Sequence, residues 1–438
     1  MKDGAYPVSA SSFLVNLAGG MAFLATLSLL QKVWAPEAVY LSLGGLAAAI
    51  ATLLAGEIFF LKSHRRERVG LRTNAARNWP VIATKILSYN ITLALVAIGY
   101  YLIPEYQKVY YEEFHLFLLF LLPVAVIVGN TYILLFDHRL GSPDDGLLHF
   151  GYLVTGQWGM ADRTKIAEYF KSVGLRAYFV PAMYIYVVAS LETFVGGPAD
   201  YLKYHSRYMV DTPVAGVVTT LMLSYFFLMV IDALFALIGY LMTFKVLNAD
   251  VRSTDTTIIG WVSCIICYTP FFEVMLAGWL LRDFYHNPQW FVWFQSNAWL
   301  MLVWGSLTTI AMCTEAFTTM TFGIRFSNLT YRGLMSTGLF RFTKHPQYVS
   351  KMVNRFLVFV PFLSWNGVAG AAWTMFLFTL ISLLYYIRAR TEENHLSIHE
   401  DYVRYAELMN ERSLFSPVAR LLPFLRYSRE KALRHRLF

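Results

Sequence analysis

Long uninterrupted apolar segments are the feature of this sequence that most restricts its fold. Runs of about 20 predominantly apolar residues, the length that crosses a hydrocarbon core as a helix, follow one another along the 438-residue chain. They lie near residues 13–33, 38–61, 80–103, 114–136, 178–197, 214–245, 258–281, 291–323, 349–365 and 368–387. The runs predict an all-α, polytopic integral membrane protein with about ten transmembrane helices.

The overall composition agrees with a bilayer as solvent. Hydrophobic residues make up 57% of the chain and charged residues 15%, against roughly 45–50% and 25% in a soluble domain. The three cysteines, Cys264, Cys267 and Cys313, all fall inside apolar runs. A cysteine in that setting behaves as a small hydrophobe, so the sequence predicts neither a disulfide framework nor a metal site.

The distribution of basic residues predicts the orientation of the chain. The loops after the second and fourth runs are rich in Lys and Arg, whereas the loop 104–113 carries Lys108 against three glutamates. Because short loops rich in Lys and Arg stay in the cytoplasm, both termini are expected to be cytoplasmic. The basic tail from Arg426 to Arg436 and the net charge of +8 fit either contact with anionic lipid head groups or a topological anchor. No nucleic-acid reader motif is present.

Two polar segments flank the last pair of apolar runs. The first, Ser336–Tyr348, reads STGLFRFTKHPQY, and the second, Arg388–Leu396, reads RARTEENHL and is followed by DYVRY at 401–405. A helical hairpin between them, turning at Asn366 and Gly367, brings both segments to the same face of the membrane. His345 and Glu392 are therefore expected to meet there, with Pro346 in the first turn of a helix.

These two segments resemble the C-terminal module of isoprenylcysteine carboxyl methyltransferases and phospholipid N-methyltransferases. That family is marked by T-x-G with R-H-P-x-Y beginning six residues after the glycine, and then by R-x-x-x-E-E-x-x-L and D-Y-x-x-Y. Here Ser336 stands for the threonine, Lys344 for the arginine and Ser350 for a glycine that usually follows the tyrosine. The resemblance covers about residues 330–418. It divides the chain into an N-terminal bundle of about eight helices (1–323) and a methyltransferase-like module with two transmembrane helices and a cytoplasmic tail (324–438).

The resemblance implies S-adenosylmethionine as the cofactor and a lipid or lipidated molecule as the methyl acceptor, with the active site facing the cytoplasm. It implies that Arg388 meets the substrate and that Glu392 faces the methionine part of the cofactor, and these two are the predicted catalytic residues. Glu393 is expected to support the site. The residues implied to bind the cofactor are Gly338, Phe340, His345, Pro346, Gln347, Tyr348, Glu392 and Glu393.

Two other functions are compatible with the sequence. NADPH-dependent sterol or isoprenoid reductases resemble the same module, with a similar H-P-x-Y and an acidic pair after the last span, which makes NADPH the alternative cofactor. Methyl transfer is preferred because the spacing from Gly338 to His345 and the D-Y-V-x-Y ending are closer to the methyltransferases. A non-enzymatic transporter or lipid-binding scaffold is the third possibility.

Charged residues inside the apolar runs motivate that third possibility. A charge at the centre of a span costs about 2.5–3.5 kcal/mol on insertion scales, so a deep charge is expected to face the protein interior. Most are expected to pair between helices, Lys85 with one of the carboxylates. Lys351 is expected to extend to the interface, whereas Arg355 could line a polar cavity. The other charged positions are Glu57, Glu192, Asp232, Glu273 and Glu315.

Overall fold

The architecture is a helical bundle, seen in a computed structural model that describes residues 7–34, 37–72, 75–140, 144–195 and 215–434. Part of two predicted spans, residues 196–197 and 214, and Arg436 of the basic tail lie outside the described residues. The helices are α1 (Phe13–Val33), α2 (Ala38–Ala55), α3 (Trp79–Leu102), α4 (Glu112–Leu135), α5 (Gly146–Val154), α6 (Arg163–Val195), α7 (Ala215–Leu241), α8 (Ile258–Ile265), α9 (Arg282–Tyr285), α10 (Trp290–Phe294), α11 (Ala298–Phe322), α12 (Pro346–Phe359), α13 (Gly367–Leu396), α14 (Glu400–Arg412), α15 (Ser416–Leu421) and α16 (Arg429–Arg434).

The predicted all-α polytopic membrane architecture is confirmed. Among the described residues, eight helices are long and apolar enough to cross a membrane: α1, α2 with its extension to Phe60, α3, α4, α6, α7, α11 and α13. The strand content of the same ranges is one short antiparallel pair, β1 (Ser253–Thr254) and β2 (Thr330–Tyr331), in which Ser253 lies opposite Tyr331. This pair ties the loop after α7 to the loop after α11.

Two of the ten predicted spans are not single long helices. In the run 258–281, α8 ends at Ile265 and the chain resumes as a π-helical segment, Phe272–Leu280, because Pro270 lacks the N–H that a continuous helix needs. In the run 349–365, α12 stops at Phe359. Its 14 residues extend about 21 Å at 1.5 Å per residue, which is short of the roughly 30 Å hydrocarbon core.

The bundle packs around α7. Residues Val230, Leu234 and Phe235 of this helix are almost fully buried, and α7 lies between α6 and α11. At the side of the bundle α1 packs along α2, where a Cβ atom at Gly45 would lie 2.6 Å from the ring of Phe23. A small residue therefore permits the close approach of these two helices, as is common in membrane bundles. The module after residue 323 is not separate in space, because α12 packs along α11.

Ion pairs account for half of the eight charged positions named above, namely Glu57, Lys85, Glu315 and Lys351. Lys85, fully buried, pairs with Asp137 at 2.9 Å and Asp145 at 2.9 Å, so its partners lie at the end of α4 and the start of α5 rather than among the carboxylates of the other spans. The expectation for Lys351 is wrong. It is 9% exposed and its ammonium lies 3.2 Å from Glu315, because α12 packs against α11.

Candidate functional site

A cleft opens where α11 and α13 end and α12 begins. Its volume is about 960 Å³, counting the space open to solvent. The floor is the loop between α11 and α12, and this loop is tied down in two ways. Strand β2 pairs with β1, and the buried guanidinium of Arg332 donates to the carbonyl oxygens of Gly239, Phe326 and Ala249. Gly239 lies in the last turn of α7, where carbonyl groups lack an intrahelical partner, and Phe326 and Ala249 lie in loops. Arg332 therefore joins three segments beneath the cleft.

The structure brings most of the predicted site residues to this cleft. Six of the nine line it, namely Phe340, His345, Gln347, Tyr348, Arg388 and Glu392. The other three do not line it, and Gly338 is exposed. Gly338 adopts a positive φ of 61°, a conformation that favours glycine, and Pro346 is the buried first residue of α12. Glu393 is 2% exposed and faces away from the cleft.

Glu393 holds the basic residues of the first motif. Its carboxylate lies 2.7 Å from the ammonium of Lys344 and 3.1 Å from Nε2 of His345. It also accepts a hydrogen bond from Arg390, one turn earlier on α13. Three basic partners around one buried carboxylate compensate its charge and position the imidazole, which is the supporting role expected for this residue.

Glu392 lies on the open side of the same helix end. Its Oε2 accepts a hydrogen bond of 2.8 Å from the hydroxyl of Tyr348 and is 3.9 Å from Nδ1 of His345. The ring of His345 stacks on that of Tyr348, with centroids 5.6 Å apart. Because the Glu392 side chain is 40% exposed, it has oxygen lone pairs available to a ligand. An imidazole and a carboxylate from the two motifs thus meet at the cleft.

Arg388 is buried in a cage of aromatic rings. Its guanidinium carbon lies 5.5 Å from the ring centre of Tyr268, 5.2 Å from Tyr348 and 5.3 Å from Tyr385. It donates to Oδ1 of Asn328 at 3.3 Å, and no carboxylate of the described residues lies within 4 Å of it. Desolvated cation–π contacts stabilise a guanidinium by up to about 2 kcal/mol, so the rings hold this charge without neutralising it.

Sequence reasoning missed the part of the site that lies before the first motif and the role of one tyrosine. Thr330 in the floor loop and Tyr402 of α14 both line the cleft, and their hydroxyl oxygens are buried without a hydrogen-bond partner. Burial, together with Glu393 and Glu392, raises the pKa of Tyr402 well above its ordinary value, so it remains a neutral donor. Tyr402 sits in the D-Y-x-x-Y motif, which gave a signal for it, whereas the floor loop carries no recognisable pattern.

The polar side chains of the cleft are of the kind that binds an organic ligand rather than a metal ion. Within the described ranges, no group of three or more His, Cys, Asp or Glu side chains could hold a metal ion. The nearest thiol, Cys264, instead accepts a contact from Arg388 at 3.6 Å. The cleft therefore offers carboxylate, hydroxyl, imidazole and aromatic groups.

A second, mainly apolar groove lies on the other side of the hairpin and is also lined by the motif residues His345 and Tyr348. Its volume is about 1130 Å³, counting the space open to solvent, and it lies between α12, α13 and the helices of the tail. Val349, Met352 and Val353 line its apolar part, and His345 and Glu393 lie at its polar end. A lipid chain in this groove would bring its head group to the motif residues.

No protein-family model, curated protein or solved structure matches the chain. The resemblance of the two motifs therefore stays a prediction, and the geometry of the cleft is the basis for a functional proposal.

Proposed function

We propose that this protein is a membrane-embedded methyltransferase that binds S-adenosylmethionine in the cleft and methylates a lipid-borne acceptor. One observation carries the proposal. His345 precedes the helical hairpin in the sequence and Glu392 lies at its end, and the two side chains are 3.9 Å apart. The cleft beside them is also lined by Thr330 and Tyr402, whose hydroxyls are buried and have no partner. Buried polar groups without partners are rare in proteins, and both residues border the cleft.

The residues of the cleft fit the groups of this cofactor. Glu392 offers a carboxylate to an ammonium group, and the hydroxyls of Tyr402 and Thr330 are donors for a carboxylate. Phe340, 8% exposed, and Tyr348 supply apolar ring surface for a base.

S-adenosylmethionine, when bound, supplies an electrophilic methyl group on a sulfonium, so the protein needs no nucleophile of its own. The task left to the chain is to align the acceptor and exclude water. Arg388 is suited to orient an anionic acceptor because its planar guanidinium is held by three rings and carries no paired carboxylate. Tyr348 connects the residue proposed to orient the acceptor with the residue proposed to bind the cofactor, since its ring contacts Arg388 and its hydroxyl binds Glu392.

The apolar groove supports a lipid-borne acceptor. It reaches His345 and Glu393 from between α12 and α13, and α13 is a candidate membrane span. A small soluble substrate needs no such apolar approach, whereas an acyl or isoprenyl chain gains about 0.8 kcal/mol for each CH₂ group that it buries.

The basic loop that contacts the cleft supports a cytoplasmic position for it. The loop after α2, which is rich in Lys and Arg, contacts the segments around the cleft. Arg68 binds Asp250 near β1 at 2.7 Å, and Glu57 just before this loop pairs with Arg325 just after α11. Short loops rich in Lys and Arg remain in the cytoplasm, and these contacts therefore support a cytoplasmic position for the cleft.

Isothermal titration calorimetry of S-adenosylmethionine with the purified full chain tests the proposal. We expect saturable binding, and we expect Glu392→Gln to weaken it at least tenfold, about 1.4 kcal/mol, because the ammonium then loses its carboxylate. The matched control is Glu411→Gln on the exposed face of α14, which should bind normally. Absence of binding to the wild-type protein, or equal affinity of the Glu392 variant, overturns the proposal.

The same sample distinguishes methyl transfer from reduction. If the cleft serves a methyltransferase, S-adenosylmethionine raises the thermal unfolding temperature and NADPH does not. Protection by NADPH alone would instead establish the reductase alternative.

A further inference from the structure

A second polar cavity lies deeper in the bundle, away from the cleft. It has a volume of about 1290 Å³, counting the space open to solvent, and lies between α6, α7, α11, α12 and α13. Asp232 of α7, Glu315 of α11, and Lys351 and Arg355 of α12 all line it. Asp232 precedes the end of α7 by nine residues and Arg355 follows the start of α12 by nine, which places both about 14 Å along their helices from the cleft end. Asp232 lies inside a candidate membrane span, α7.

One pair of charges in this cavity is compensated by the protein. The ammonium of Lys351 lies 3.2 Å from Oε1 of Glu315, and the amide of Asn354 donates to the other carboxylate oxygen at 3.4 Å. Tyr225 in turn donates to Asn354. This pair needs no ligand.

Arg355 has only neutral partners. Its Nε donates to the hydroxyl of Tyr285 at 3.3 Å, and its Nη1 reaches the backbone oxygen of Lys351 at 3.4 Å. The guanidinium lies over the ring of Tyr385, 5.1 Å from its centre. No carboxylate of the described residues comes within 4 Å of it, so a cation with free donors faces the cavity at membrane depth, where an uncompensated charge is costly.

Asp232 is the corresponding anion. Its carboxylate accepts a hydrogen bond from the hydroxyl of Thr319, and no basic group of the described residues lies within 4 Å of it. Thr319 also accepts a hydrogen bond of 3.1 Å from the amide of Gln347, which lines the cleft. Two hydrogen bonds therefore connect the carboxylate in the cavity with the cleft.

The two spaces share a wall. Tyr268 and Tyr385 line the cavity, and both rings contact Arg388, which lines the cleft. An occupant of the cavity is thus separated from the cleft only by side chains. The unpaired cation and the unpaired anion face the same space but do not bind each other, which is the arrangement that a ligand with both signs of charge can complete.

We propose that this intramembrane cavity binds the zwitterionic head group of an amphiphile, with its phosphate or carboxylate against Arg355 and its ammonium against Asp232. The binding does not depend on the proposed methyl transfer, because the side chains of Tyr268, Tyr385 and Arg388 separate this cavity from the cleft.

The test measures binding of defined probes to the full chain in a non-ionic detergent, without S-adenosylmethionine. The probes are a lysophospholipid with an ethanolamine head group, the same lysophospholipid with an anionic glycerol head group, and water-soluble phosphoethanolamine. We expect the zwitterionic lysophospholipid to bind at least tenfold more tightly than the anionic one. Equal or tighter binding of the anionic probe overturns the proposal.

The soluble probe identifies the source of the ligand. Weak binding of phosphoethanolamine supports the membrane as the source, because the acyl chain then contributes. Binding as tight as that of the lysophospholipid contradicts an amphiphile and assigns the cavity to a soluble zwitterion.

Variants test the two charges separately. Arg355→Gln and Asp232→Asn should each weaken binding of the zwitterionic probe at least tenfold, and Arg355→Lys, which keeps the charge, should recover part of the loss. The matched controls are the exposed Arg282→Gln and Glu192→Gln, which should bind normally. If the two cavity variants elute as monodisperse protein and bind the probe as the controls do, the proposal is wrong. Because S-adenosylmethionine is absent, its failure is separate from a failure of the proposed function.

Discussion

Arg325 and Arg355 are two arginines inside the same bundle with opposite surroundings. Arg325 is 2% exposed and forms a bidentate ion pair with Glu57. It also donates to the backbone oxygens of Leu247 and Asn248. Its donors are taken by protein acceptors although it borders the cleft. Arg355 has only neutral hydrogen-bond partners among the described residues and lines the polar cavity. Burial alone therefore does not distinguish a structural charge from a ligand-binding one, whereas the combination of an uncompensated charge and an adjacent cavity does.

The origin of the difference is local. Glu57 lies in the π-helical turn Gly56–Phe60 at the end of α2, where the wider turn directs the carboxylate to the segment after α11. Ser63 donates to the same carboxylate. Around Arg355, by contrast, α12 ends after 14 residues, and no carboxylate of the described residues comes within 4 Å of the guanidinium. A short helix among long ones leaves the space that the cavity occupies.

The largest effect is expected from breaking the compensated pair. Glu57→Gln should lower the free energy of unfolding by about 3–5 kcal/mol, because it leaves the buried charge of Arg325 without its partner. Equilibrium unfolding in a mixed detergent series measures this, with the exposed Glu67→Gln as the control. A loss below about 1 kcal/mol would show that Arg325 is not held by this pair. The double variant Glu57→Leu with Arg325→Met should recover much of the stability.

An intermediate effect is expected from the pair that lines the cavity. Lys351→Met leaves Glu315 without its cation, but the carboxylate keeps the amide of Asn354 and faces a polar space. We expect a loss of about 1–3 kcal/mol, below that of an unpaired charge in a packed core. The same unfolding series measures it, and a loss as large as that of Glu57→Gln would contradict the difference between cavity and core.

Arg355→Met should change stability little or raise it. Removing a cation that has no anionic partner relieves a desolvation cost, so we expect a change within about 1 kcal/mol or a gain. Thermal unfolding of the full chain without ligand measures it, beside Arg282→Met on an exposed turn. A loss above about 3 kcal/mol would mean that the guanidinium is a structural element like Arg325, and the comparison between the two arginines would fail.

The smallest effect concerns the half-exposed pair of Arg68 and Asp250. Burial opposes ionisation of Asp250, but the hydrogen bonds from Arg68 outweigh it and lower the pKa of this carboxyl. A lowered pKa in the folded state contributes stability that is present above the unfolded value, about 3.9, and is lost as the pH falls through the folded value. Asp250→Asn should therefore cost about 0.2–1 kcal/mol at pH 7, and its difference from the wild-type protein should shrink between pH 5 and 3, read by chemical unfolding. A constant difference over that range would contradict the assignment to this ion pair.

Much of the site could be predicted because its determinants are close in sequence. The motif residues His345, Gln347 and Tyr348 are neighbours in sequence at the start of α12. Arg388 and Glu392 lie one turn apart on α13, so helical spacing alone puts this pair on one face. The number of long spans was predicted less well. Pro270, and Val360 with its positive φ before Pro361, end helices within apolar runs that composition alone reads as continuous.

The sequence by itself determined the membrane architecture, the helical hairpin and the meeting of the two motifs at one end of it, because apolar run length and helical periodicity are local properties of the chain. Only the tertiary structure decided which charges are compensated. Glu57 and Arg325 are 268 positions apart, and Asp232 and Arg355 face a common cavity without touching. Such relations depend on how the helices pack and where a short one leaves space, and no local pattern encodes them.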